Sequence, residues 1–275
     1  MRQCPVGRRP LEFLVGFSTT MANSSNRPIA RHDWHPLHCL REDYDEKIGL
    51  MILNQPLEPV TDQLKILWRN AAIRGVTDGG INELYSATWN EIDEYLPDFI
   101  SGDFDSANPK LLELYREKGC QVTKTPCQDQ TDFTKGLKMM LEKIKEKNLK
   151  VSCIVALGGI GGRFDHTMAN TNTMFEAKQL TDLPIYLHSM ESLSCTLWKG
   201  LNVIHHQSGF HGSWCGLLPI GCSEALVTTT GLKYNLEKGR LKFKELVSTS
   251  NQCLAEAKHI TVETDEEIVW TMAIR

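Results

Sequence analysis

The chain has 275 residues, 41 % of them hydrophobic and 23 % charged, with a formal net charge of −4. That balance excludes a mostly disordered chain, and its sign excludes a nucleic-acid binder driven by bulk positive charge. No apolar run approaches the about 20 residues of a membrane-spanning helix, so an anionic ligand has to be held by local devices: helix N-termini, a few Lys or Arg, or a metal ion.

Residues 1–32 carry five arginines, no lysine and one acid, Glu12. Two readings fit this segment: an Arg- and Ser-rich transit peptide, or, more simply, either a disordered extension or an upstream start with Met21 as the true one. The nine cysteines form no C-x-x-C pair. They read as buried reduced thiols of a cytoplasmic protein rather than as a zinc site or disulfide scaffold.

From about Lys47 the pattern becomes α/β. Ile48–Leu53 is a nearly continuous apolar run, as a strand buried on both faces requires. Leu64, Leu67, Trp68 and Ala71 recur at helical spacing and predict a helix over 61–71. A strand over 73–77 ends at Asp78-Gly79-Gly80, and Phe99–Ser101 leads into Gly102-Asp103-Phe104-Asp105-Ser106. Pro109 and Gly119 punctuate the start and end of a helix. Cys120–Thr125 alternates like a strand. From Thr131 onward Phe133, Leu137, Met140, Leu141 and Ile144 fall on one helical stripe. Val151–Leu157 is another buried strand, ending in a glycine cluster at 158–162 followed by Arg163 and Asp165. A helix and a strand near Pro184–His188 complete the series.

After Ser189 only short β-type runs follow, divided by Gly, Pro and Asn. The expected fold is α/β: an N-terminal parallel-sheet domain over 33–188, then a C-terminal antiparallel β-sandwich domain over 189–275. In the last strand Trp270, Met272 and Ile274 should face one side and Val269, Thr271 and Ala273 the other. Trp198, Trp214 and Trp270 are expected in the sandwich core. His205, His206 and His211 lack acidic company in sequence and read as surface or core histidines.

Three acidic motifs share one place, since Asp78, the Asp103/Asp105 pair and Asp165 each follow a parallel strand. Ligands of open α/β sheets bind outside that edge. Asp132 opens the helix after Cys120–Thr125. Each alone is also what a turn or helix cap uses. Five together repel, and a hard divalent cation such as Mg2+ is the simplest compensation. If the chain is extended at Asp103 and Asp105, both carboxylates face one side while Phe104 points into the core. Thr131, Asp132 and Lys135 share a first helical turn, where Lys135 could neutralise a phosphate while Asp132 holds the metal; a capped helix with a surface ion pair is the plainer alternative. The glycine cluster permits close approach to a phosphate, and Arg163 offers a fork for its oxygens. Neither a dinucleotide fingerprint nor a P-loop occurs.

In this order DGG at 78–80, GDFDS at 102–106, QTDFTK at 130–135, GGIGGRFDH at 158–166, TTTGLKYNL at 228–236 and STSN at 248–251 closely resemble eukaryotic thiamine pyrophosphokinases, from about Leu50 to Arg275. The resemblance implies transfer of a pyrophosphoryl group from ATP to the hydroxyl of thiamine, giving thiamine diphosphate and AMP. It implies dependence on Mg2+, and a homodimer with thiamine sites between the α/β domain of one subunit and the β domain of the other. By motif match Asp103, Asp105 and Asp132 would be metal ligands, and Asp78 and Asp165 would complete the acidic site. Gln128, Thr131, Lys135 and Arg163 would handle phosphate or position substrate. Tyr234, Ser248, Ser250 and Asn251 would line the thiamine pocket. Tyr234 stands where animal members carry Trp, and either ring suits a flat heterocycle. The segment 252–258 is less glycine-rich than the family pattern. Two alternatives stay open: a γ-phosphoryl kinase of another small alcohol, and a catalytically silent thiamine-binding protein. The residues also leave open which of Asp78 and Asp165 accepts the alcohol proton.

Overall fold

The computed structural model describes residues 29–207 and 209–275; most of the arginine-rich segment 1–32 therefore lies outside the described residues. The chain begins with a short strand, β1 (Arg31–Trp34), and continues to β2 (Ile48–Ile52). Strands and helices then alternate: α1 (Thr61–Asn70), β3 (Ala71–Thr77), α2 (Gly80–Thr88), β4 (Phe99–Gly102), α3 (Pro109–Glu117), β5 (Gln121–Lys124), α4 (Asp132–Glu146), β6 (Ile154–Leu157), α5 (Phe164–Ala177) and β7 (Ile185–His188). Strands alone follow: β8 (Ser192–Leu197), β9 (Gly200–Ile204), β10 (His211–Leu218), β11 (Ala225–Thr230), β12 (Gly239–Leu241), β13 (Ser248–Asn251), β14 (Ile260–Thr264) and β15 (Ile268–Ile274).

The local rules are visible in the helices. Asn108 caps α3 through its side-chain oxygen, which accepts from Lys110 N at 3.0 Å, with Pro109 in the first turn. Gly119 leaves that helix at φ +90°, a conformation glycine adopts without strain. The predicted stripe of α4 is buried at Phe133, Leu137 and Met140, each such side chain contributing about 1.5–3 kcal/mol when fully buried.

Ten strands form one sheet in the order β13-β10-β15-β8-β7-β6-β2-β3-β4-β5, and five form a second in the order β1-β9-β14-β11-β12. From β7 to β5 every pairing is parallel; from β7 to β13 every pairing is antiparallel. The expected parallel and antiparallel regions are thus present, but they share a continuous sheet. α1, α2 and α3 pack on one face of the parallel part with Leu50, Ile52, Val76 and Ile100, while α4 and α5 cover the other with Met51, Ile73, Phe99 and Ala156. The antiparallel end packs against the five-stranded sheet, bringing Leu193, Cys195 and Trp270 together with Val227, Ile260 and Val262.

In β15, Trp270, Met272 and Ile274 join this sandwich core and Val269 joins the core on the α4/α5 side, as alternation requires. Of the three tryptophans expected in that core, only Trp214 departs. Trp270 is fully buried, Trp198 packs at the core margin, and Trp214 is 37 % exposed. β1 was not expected: it joins the five-stranded sheet by pairing parallel to β9, residues 31–34 against 201–204. No helix among the described residues is long and apolar enough to cross a membrane.

Candidate active site

Chain order decides where the parallel sheet opens. The connections leave β2 toward β3, β4 and β5, then return to β6 and β7 on its other side. The strand order therefore reverses between β2 and β6, the position where open α/β sheets form a ligand crevice. A cavity of about 330 Å³ lies there, lined by the ends of β2, β3, β4 and β6 and by the first turns of α4 and α5.

Asp78, Asp103 and Asp132 meet in this cavity, each offering a carboxylate oxygen within 4.8 Å of the others. Asp78 ends β3 with φ +37° and is only 5 % exposed. One of its oxygens, Oδ1, is buried with no hydrogen-bond partner. Burial pushes the Asp78 carboxyl up, and the nearby Asp132 and Asp105 charges act the same way. Gly102 permits this placement, because a Cβ there would lie 2.8 Å from the Asp78 Cβ and 3.0 Å from its Cα. Asp103 accepts from Asp105 N at 3.2 Å and from Gln128 Nε2 at 3.0 Å. The Asp105 N–H chiefly holds the Asp103 carboxyl below its ordinary value, with Gln128 and Lys135 adding to the effect. Asp132 is the first residue of α4, and Thr131 caps that helix by accepting from Thr134 N at 3.0 Å.

Asp105 and Asp165 stand differently from expectation. Phe104 has φ +65°, so the chain is not extended between Asp103 and Asp105, and the two carboxylates do not form a strand-like pair. Phe104 still packs against the core. Asp105 lines the cavity but is exposed, and its Oδ1 accepts from Ser106 Oγ at 2.9 Å. Asp165 lies outside the three-carboxylate group and accepts from Arg163 Nε at 3.1 Å and NH2 at 2.5 Å. That guanidinium holds the Asp165 carboxyl down, to about 2. Arg163 itself lines the cavity. Lys135 departs most: its amine does not line the cavity but turns back beneath the first turn of α4.

Sequence reading missed Asn54, Gln55, Ser106, His166 and Asn170, all of which line the cavity. Asn54-Gln55-Pro56 directly follows an apolar strand, a signal that could have flagged the first two. Gln55 also explains Gly162, at φ +59°, where a Cβ would come within 2.7 Å of the Gln55 amide oxygen. Asn170 donates to Gly159 O at 2.9 Å and fixes the glycine turn to α5.

Tyr234, Ser248, Ser250 and Asn251 lie in the sandwich and do not line this cavity. Asn251 is 4 % exposed; its side chain accepts from Tyr234 N at 3.1 Å and donates to Tyr234 O at 2.8 Å. It therefore holds the loop that presents Tyr234, which is 63 % exposed. His205 has an acidic neighbour after all: its Nε2 lies 3.0 Å from Asp33 Oδ1 because β1 pairs with β9. Among the described residues only Asp78, Asp103 and Asp132 group closely enough to share a metal ion.

A hard cation fits this donor set, which is all carboxylate oxygen and includes a buried oxygen without a partner. The comparisons with known proteins agree with the chemistry. The family model described as thiamin pyrophosphokinase, catalytic domain, matches residues 64–187, and that of the vitamin B1 binding domain matches 202–269. Thiamine pyrophosphokinase 3 of Oryza sativa subsp. japonica is 35 % identical over 238 residues, covering 82 % of this chain and 87 % of that protein. Thiamine pyrophosphokinase 1 of Arabidopsis thaliana is 34 % identical over 250 residues, covering 87 % and 91 %. The solved thiamin pyrophosphokinase of Candida albicans superposes with a TM-score of 0.80 at 25 % identity, covering 91 % of this chain and 95 % of that one.

Proposed function

The chain belongs to the thiamin pyrophosphokinase family, and from that premise we infer that it transfers a pyrophosphoryl group from ATP to the hydroxyl of thiamine, giving thiamine diphosphate and AMP. The observation that carries the reading into this structure is the convergence of Asp78, Asp103 and Asp132 at the reversal point of the sheet, beside the glycine turn 158–162. The hydroxyl oxygen forms a bond to the β-phosphorus of ATP while the bond from that phosphorus to the bridging oxygen of AMP breaks. Such transfers depend on positioning and on neutralising charge over the phosphate oxygens.

We propose that Asp78, Asp103 and Asp132 hold Mg2+, with Asp105 at the rim. A cation held there would supply positive charge to the phosphate oxygens. The chain's own residues do the rest. The glycine turn lets the backbone come close to phosphate, and Asn170 keeps that turn in place. Arg163 stands at the cavity mouth with a planar fork suited to phosphate oxygens. Thr131 and the free N–H groups of the first turn of α4 favour an anion.

Tyr234, Ser248, Ser250 and Asn251 are proposed to hold thiamine, Tyr234 by its exposed ring. Because they do not line the acidic cavity of their own chain, the reading includes a homodimer in which each thiamine site faces the cavity of the partner subunit. The division into an ATP- and metal-binding part over 33–188 and a thiamine-binding part over 189–275 belongs to the same proposal. So does a cytoplasmic location, which suits the free, buried thiols of Cys39, Cys120, Cys153, Cys195 and Cys215.

Incubation with ATP, Mg2+ and thiamine, with both products separated by chromatography, tests the reading. Thiamine diphosphate and AMP in equal amounts are expected. ADP with thiamine monophosphate would mark a γ-phosphoryl kinase, and thiamine bound without ATP consumption would mark a binding protein.

A further inference from the structure

We infer that Lys135 is a positioning residue that sets the carboxylates of the acidic site from beneath, rather than a ligand for the phosphates of ATP. The inference rests on the metal reading of that site. The Lys135 side chain is 9 % exposed, and its ammonium lies 2.7 Å from Asp132 Oδ1. It also donates to Thr125 O and Cys127 O, both at 3.1 Å. The amine is thus held by two hydrogen bonds to backbone carbonyls and by an ion pair with Asp132. To reach a phosphate oxygen Lys135 would have to give up these part-buried contacts. Its amine borders a groove on the far side of the loop, with Thr125, Cys127 and Gln130, and not the acidic cavity.

The second half of the argument is what the two carbonyls belong to. The 125–128 loop is joined to β4 by Thr125 N, which donates to Gly102 O at 2.7 Å. One residue beyond Cys127, the Gln128 amide donates to Asp103 Oδ2 at 3.0 Å. Lys135 thus grips Asp132 directly, and grips the loop whose next residue orients Asp103. Two of the three carboxylates are tied to one buried cation. That cation also offsets part of the repulsion that would drive the acids apart before a metal binds. Partners behind the ligands of a metal site commonly set its affinity, their loss costing about 10–100-fold.

The test compares the wild-type protein with Lys135→Met, which keeps the length of the side chain and removes its charge and donors. Two quantities are read: Mn2+ binding without nucleotide, by water-proton relaxation, and ATP binding in the presence of EDTA, by calorimetry. The expected result is Mn2+ affinity lower by about tenfold or more, with metal-free ATP affinity unchanged within about twofold. Unchanged Mn2+ affinity with weakened metal-free ATP binding would make Lys135 a phosphate ligand and overturn the inference. So would a wild-type protein that binds no Mn2+. If Lys135→Met does not fold, Gln128→Ala replaces it, since removing this surface amide frees Asp103 alone. Weaker Mn2+ binding is expected there as well, and unchanged binding overturns the part of the inference that runs through the 125–128 loop to Asp103. Neither readout requires turnover. A wild-type protein that binds Mn2+ but makes no thiamine diphosphate would defeat the proposed reaction and leave the role of Lys135 standing.

Discussion

His188 ends β7 directly beneath the glycine turn, and its carbonyl accepts from Gly158 N at 2.9 Å and Gly159 N at 3.2 Å. The side chain is fully buried, and burial lowers its pKa from 6.5 to about 4. Between those values the unfolded chain binds a proton that the folded chain refuses. Stability is therefore complete above about pH 6.5 and falls as the pH drops toward 4, by about 3 kcal/mol at pH 4. His188→Leu removes the titration. Urea unfolding of both proteins from pH 7 to pH 4 should show the stability difference shifting by about 3 kcal/mol in favour of the variant. A difference that stays flat would mean that the imidazole is not held neutral. This group was not legible in the sequence, because nothing local says that a strand-end histidine is buried. Asp78, Asp103 and Asp165 were legible for the opposite reason: each follows an apolar strand within a few residues of glycine, whereas Asp132 was marked by its place at the start of a helical stripe. What the local pattern could not supply was direction. The i,i+3 spacing brings Lys135 to Asp132 but leaves the amine free to point either into the cavity or under it. Asn170, inside a helix, joins the site only through the order of strands.

The start of α4 carries Asp132 and is held by side-chain hydrogen bonds as well as by the packing of Phe133. Thr131 Oγ1 accepts from Thr134 N and lies 3.0 Å from Thr134 Oγ1. Thr134 Oγ1 in turn contacts Thr173 Oγ1 on α5 at 2.8 Å and donates to Glu176 Oε2 at 2.9 Å. The network joins the turn bearing Asp132 to the helix bearing Asn170. Thr131→Ala removes the cap and should cost about 1 kcal/mol, read as a Tm lower by about 2–4 °C. Thr131→Ser keeps the oxygen and should hold the Tm near wild type. An Ala variant that melts with the wild type would show that water replaces the cap at no cost. This helix was legible because its stripe repeats from Phe133 to Ile144. α2 was not, since it opens on glycine, has no side-chain cap and spans nine residues. β1 was not either. Its sequence RHDW has no alternation, and its partner β9 lies about 170 positions away.

Across the whole molecule, the continuous sheet sets how far apart the two kinds of site residue stand. β13, which carries Ser248, Ser250 and Asn251, is an edge strand, and six steps along the order separate it from β2. At about 4.8 Å per step that is roughly 30 Å, far beyond the length of a vitamin-sized molecule. Helices pack on both faces of the parallel part and the five-stranded sheet packs on the antiparallel end, so the sheet cannot fold over to bring the two together. A second copy can, and a two-fold axis would then build two identical composite sites. This arrangement makes a quantitative demand. Asp132→Asn disables the acidic half of a site and Tyr234→Ala the thiamine half, so each variant alone should be nearly inactive. After the two are mixed, partly unfolded and allowed to reassociate at random, half the dimers pair unlike chains. Each of those has one site built from two intact halves, so activity should recover to about a quarter of the wild-type value. Sites contained within single chains would give no recovery at any mixing ratio, because every chain would still carry one damaged half.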